Sequence, residues 1–148
     1  MGHNISGIVT SFKYQGDLPH LYLVGNYAFI PLCARTKGFR GSAIAPFARF
    51  GSNLTPKIKK LTKELSFTGM CGFIETSYHG GYGSQLAVVW EYGSIIYGPV
   101  ESGEAINEAL KLMGIWRHEG KDEFDTARLG WYRDNKEVLL EINQQLNE

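Results

Sequence analysis

The stretch Gly72–Tyr97, GFIETSYHGGYGSQLAVVWEYGSIIY, decides the fold. It contains three short runs rich in β-branched and aromatic residues: Gly72 to Tyr78, Ser84 to Glu91 and Ser94 to Tyr97. Runs of that length and composition predict strands. His79-Gly-Gly-Tyr-Gly83 separates the first two runs, and Tyr92-Gly93 separates the second and third. Glycine reaches the positive φ that tight hairpin turns need, so each junction predicts a reversal and the three strands an antiparallel meander. Gly98-Pro99 is expected to end the third strand, because proline removes a backbone donor.

Upstream, Ile5 to Tyr14 and His20 to Leu32 also read as strands, with Gly25-Asn26 able to bulge the second or split it into a hairpin. Thr55-Pro56 opens a helix: threonine caps well, and proline suits the first helical position. Ile58, Leu61 and Leu65 share one face of it, while Lys57, Lys59, Lys60 and Lys63 take the rest. Downstream, Ser102 is placed to cap a helix reaching Met113, with Gly114 as its stop. Asp134-Asn-Lys-Glu137 resembles a capping box ahead of a last helix whose apolar side holds Val138, Leu139, Ile142 and Leu146. The expectation is an α+β fold: an antiparallel sheet of about five strands, with about three helices packed mainly on one face, in a single domain spanning residues 1–148.

The composition agrees. In 148 residues, 43% are hydrophobic and 20% charged, which excludes a disordered chain. No apolar run is long enough to span a membrane, and the N-terminus lacks a secretory pattern, so a soluble cytoplasmic protein is expected. Cys33 and Cys71 have no metal-type spacing and read as reduced thiols. The net charge is zero but unevenly placed: residues 1–70 carry +7 and residues 71–148 carry −7. No linker separates the halves, so mutual neutralisation within one fold is favoured over a single-sign partner surface.

Several residues could carry chemistry. Glu75, Ser77 and His79 alternate along one strand and so share a face, with Gln85 able to join from the returning strand. Carboxylate, hydroxyl and imidazole together suit acid–base or nucleophilic work; a polar face meeting water is the simpler reading. The Gly-rich loop lacks both the Lys-Ser/Thr and the following helix of a phosphate cradle. Tyr78 and Tyr82 beside the glycines are candidate binding residues. So are Trp116, Asp122, Glu123, Asp125 and Trp131, because aromatics among acids suit an interface. The acids lack the order of a calcium loop, and the histidines lack paired-ligand spacing, so neither metal nor cofactor is expected. Arg35, Arg40 and Arg49 among phenylalanines, together with the lysine helix, offer a weaker nucleic-acid reading.

The segments GFIETSYHGGYGSQLAVVW, AINEALKLMGI and DEFDTARLGWYR follow one another between residues 72 and 133. Together they resemble a family of small uncharacterised bacterial proteins with an E-x-x-Y-x-G-G-x-G-x-Q segment, an IN-x-AL helix and a DEFD segment. His79 stands where an aromatic is expected, and Met113 departs from the usual LG form. Proteins of this type resemble immunity partners of bacterial toxins. The resemblance implies a protein that binds and neutralises a cognate toxin. The residues themselves suggest how: the acidic C-terminal half, with Asp122, Glu123 and Asp125, would face a basic partner. The resemblance supplies no catalytic residues. A small hydrolase-like enzyme using Glu75, His79 and Gln85 is the alternative.

Overall fold

The computed structural model of this chain describes residues 4–23, 25–32, 54–79, 82–115, 132 and 134–146. Within them one antiparallel sheet has six strands: β1 (Ser6–Thr10), β2 (Leu21–Tyr22), β3 (Ala28–Pro31), β4 (Cys71–His79), β5 (Tyr82–Glu91) and β6 (Ser94–Ser102). Their spatial order is β2-β3-β1-β4-β5-β6. Among the described residues three helices accompany them: α1 (Pro56–Leu65), α2 (Ala105–Leu112) and α3 (Asn135–Leu146). The fold is α+β.

The sixth strand comes from the run His20–Leu32. Gly25 takes φ 66°, and Leu23 N–H donates to the Tyr27 carbonyl at 2.8 Å, so the run folds back as the β2–β3 hairpin. The two reversals in the opening stretch form as expected. His79 pairs with Tyr82, which leaves Gly80-Gly81 as the whole connection between β4 and β5. Glu91 pairs with Ser94 around Tyr92 (φ 50°) and Gly93 (φ 79°), the double positive φ of a type I′ turn.

Gly98-Pro99 does not end the third strand. β6 runs on to Ser102, with Ala87 paired to Val100 and Val89 to Tyr97. Gly98 and Pro99 thus lie together opposite Val88 alone, which is a β-bulge. A side chain on Gly98 (φ 81°) would strike the Ala87 carbonyl. Proline is tolerated because β6 is an edge strand and the bulge removes the demand for its missing N–H.

Alternation along the strands sorts the core into two clusters. On one face Ile5, Val9, Phe29, Ile74, Ala87 and Val89 lie beneath α2 and α3. On the other, Ile8, Ile30, Phe73, Val88 and Trp90 meet Ile58 of α1. Two of the three helices therefore share a face. α1 comes from the basic half of the sequence yet packs on β4 and β5, while α3 from the acidic half packs near β2 and β3. α1 and α3 thus each cover strands of the other half, while α2 stays on the strands of its own half, and β1 pairs directly with β4.

The caps follow local chemistry. The Thr55 hydroxyl accepts from Ile58 N–H at 3.3 Å, and Pro56 occupies the first helical position. Asp134 caps α3 by accepting from Glu137 N–H at 2.9 Å. Ser102 is not the cap of α2: it ends β6, its hydroxyl accepts from Glu104 N–H, and the helix begins at Ala105. Among the described residues, no helix is long and apolar enough to cross a membrane.

Candidate functional site

Register decides which side chains meet. β4 and β5 pair Thr76 with Gln85 and Glu75 with Leu86. Cross-strand partners share a face, and neighbours along a strand do not. Glu75 and Ser77 therefore lie on the α1 face with Phe73 and Leu86, whereas Gln85 lies with Ala87 and Val89 on the α2 face. The expected convergence of Gln85 on Glu75 does not occur, because the sheet stands between them. Gln85 serves the fold instead: its Oε1 accepts from Ile106 N–H at 3.0 Å, satisfying a first-turn donor of α2.

Glu75 does not face water. It is 3% exposed, in a cross-strand row that runs Ser6, Glu75, Leu86, Glu101. Ser6 is fully buried beside it, and the Ser6 hydroxyl has no hydrogen-bond partner among the described residues. Ser77 and Ser84 form the next row toward the hairpin, so a polar strip borders the apolar rows under α1. Tyr78 is half-buried on the opposite face from Glu75. His79 and Tyr82 are placed by their backbone pairing as the last rung of the ladder. Trp116, Asp122, Glu123, Asp125 and Trp131 lie outside the described residues, as do Arg35, Arg40 and Arg49. Among the described residues, no group of three His, Cys, Asp or Glu side chains could hold a metal ion.

Gly83 explains part of the glycine pattern. An added Cβ there would strike the Ser77 carbonyl oxygen and lie 2.6 Å from the Tyr78 Cα. The paired backbone approaches too closely for any side chain, so this glycine serves the β4–β5 contact.

Burial sets the ionisation of the described groups that depart from their ordinary values. The Cys71 thiol is pushed up to about 12 because its fully buried site disfavours the thiolate. Burial also raises Tyr27, whose hydroxyl donates to the Met113 carbonyl. Tyr97 is raised first by burial and then by the negative charge of Glu108. Cys71 is therefore expected to stay unreactive toward a disulfide reagent at about pH 8, since the thiolate is the nucleophile. In a Cys33→Ser variant, labelling should appear only as the chain unfolds; fast labelling of the native protein would contradict the buried site. The sign for stability follows: above the ordinary thiol value of 9.0 the unfolded chain loses this proton and the fold keeps it. Stability from this group therefore falls as pH rises from 9.0 toward 12.

Sequence reasoning missed two features. Asn135 is a buried clasp between β1 and the end of β3, as its hydrogen bonds show. The second is a corner of exposed apolar side chains: Phe67 after α1, Tyr92 in the β5–β6 turn, and Ile95 on β6. Phe67 and the SIIY run were visible signals, but the run's strand character alone does not say that β6 lies at an edge. No family model matches the chain, and neither curated proteins nor solved structures show a match to it.

Proposed function

We propose that this chain is a protein-binding module, of the kind that binds and neutralises a cognate toxin. The observation that carries the reading is the exposed corner, where Tyr92 is 73% and Phe67 60% exposed, with Ile95 on the same side of the sheet as α1. Large apolar side chains grouped on a surface mark contact sites. The exposed lysines of α1 support it, because electrostatic complementarity steers association. The test is co-expression with the product of a neighbouring gene in the native host. Suppressed toxicity and a co-purifying pair are expected. Recovery only as a free species, with toxicity unrelieved, would overturn the reading.

A second reading, a hydrolase-like enzyme, is favoured by one observation: the Glu75 carboxylate is buried next to Ser6 instead of standing on a solvated face. It retains Glu75 and His79 and loses Gln85. Turnover of an activated ester that disappears in both Glu75→Gln and His79→Ala would support it, and turnover unchanged by both would remove it.

A further inference from the structure

The exposed corner has a built base. At the end of α1, the Ser66 carbonyl accepts from Tyr92 N–H at 3.1 Å, and the Ser66 hydroxyl accepts from Gly93 N–H at 2.8 Å. Ser66 itself is fully buried, so helix end and hairpin turn are bolted together. The Phe67 ring lies over Gly93, where an added Cβ would sit 2.5 Å from its Cζ. Ile95 pairs with Trp90 and so stands on the α1 face of the sheet. Phe67, Tyr92 and Ile95 are thus presented on a fixed frame, which lowers the ordering cost of a contact.

The charge near the corner is mostly positive: four lysines on α1 stand against Glu64 on the same helix and Glu91 beside Tyr92. Lys57, Lys59, Lys60 and Lys63 all point outward from α1, and Glu64 is its single acid. A second copy of this chain does not suit the surface, because a two-fold contact centred on α1 would set these lysines against their own copies. Phe67 and Tyr92 are rings on which bases could stack, but the tip of the Phe67 ring is set against Gly93 and the aliphatic Ile95 beside them gains only by being covered, so a protein segment with apolar side chains suits the corner better than a nucleic-acid strand. We propose that the corner formed by the end of α1 and the β5–β6 turn docks an acidic, amphipathic segment of a partner protein, whose carboxylates meet the α1 lysines while its apolar side chains cover Phe67, Tyr92 and Ile95. The proposal rests on the protein-binding reading and assigns it a surface and a partner chemistry.

The test uses the full chain with three probes: a synthetic peptide with Glu and Leu at helical spacing, its Lys-for-Glu counterpart, and oligo(dT). Amide NMR shifts report the site. The acidic peptide should move signals within residues 56–68 and 91–96, with affinity falling about tenfold between low and high salt, as screening requires. The Lys-for-Glu peptide should move none of them. Lys59→Glu with Lys63→Glu, and separately Phe67→Ser, should each weaken binding about tenfold or more while leaving the far-UV circular dichroism unchanged. Oligo(dT) binding here without the acidic peptide would overturn the proposal in favour of nucleic acid. No binding, or shifts elsewhere, would overturn it outright. The co-expression assay separates the two readings. If wild type suppresses toxicity and the double lysine variant suppresses it equally well, this surface is wrong and the module reading stands. If wild type fails to suppress it, the module reading falls.

Discussion

Replacing Asn135 with alanine is expected to destabilise the fold by about 3 kcal/mol, from two buried backbone groups losing their partners. Asn135 is 3% exposed at the first turn of α3. Its Oδ1 accepts from Ser6 N–H at 2.9 Å, and its Nδ2 donates to the Ser6 carbonyl at 2.8 Å and the Leu32 carbonyl at 2.9 Å. One orientation of the amide satisfies all three contacts, since two face oxygens and one faces an N–H. The clasp lies where β3 ends at Pro31 and the ladder to β1 runs out. In Asn135→Ala the Ser6 N–H and Leu32 C=O are left buried and unpaired, while the Ser6 carbonyl keeps its bond from Leu32 N–H at 3.0 Å. Asn135→Asp separates hydrogen bonding from packing. It keeps the shape and the acceptor but turns a second oxygen toward two carbonyls, so it should also destabilise the fold by at least about 2 kcal/mol. Denaturant unfolding reads both. A loss below about 1 kcal/mol in each would mean that the clasp contributes little.

Asn135 also shows where sequence reading stops. Asp134 was legible, because a capping acid three residues before Glu137 is a local signal. Asn135 next to it looks like any polar first-turn residue. Its partners lie more than 100 positions away, and nothing local announces them. The same division holds across the fold. The turn at Tyr92-Gly93 and the α1 start at Thr55-Pro56 are short-range chemistry and were readable. The continuation of β6 through Gly98-Pro99 was not, because proline in a strand is disfavoured until the strand is known to be an edge with a bulge.

The candidate site divides in the same way. Alternation placed Glu75 and Ser77 on one face correctly. Whether Gln85 joins them depends on the parity of the β4–β5 register, and a single residue of slip would reverse the answer. The observed pairing of Thr76 with Gln85 puts the amide on the far side. Burial of Glu75 was also out of reach: its neighbours Ser6 and Leu86 come from strands on either side, one of them distant in sequence. The charge asymmetry was plain in the sequence, but the crossing of α1 and α3 over opposite halves of the sheet is a matter of tertiary packing.

Gly83→Ala is expected to destabilise the protein by about 3 kcal/mol, the upper range for forcing extra atoms into a filled space. For a chain of 148 residues this corresponds to a fall in Tm of roughly 10 °C. The new Cβ would meet main-chain atoms of Ser77 and Tyr78, which cannot rotate away as a side-chain tip can. The hairpin must part locally, and amide protection at residues 77–84 should fall with it. Gly103→Ala is the control: nothing lies within 4 Å of its added Cβ, so it should change stability by less than about 1 kcal/mol and in the favourable direction. The comparison also separates two meanings of the glycine-rich segment. An anion cradle would lose phosphate binding in Gly83→Ala and keep its Tm, because its glycines would admit a ligand. A strand contact loses Tm whatever ligand is present. A Gly83→Ala protein that melts with the wild type would return the loop to the ligand reading; one that melts well below Gly103→Ala fixes it as a close backbone contact between β4 and β5.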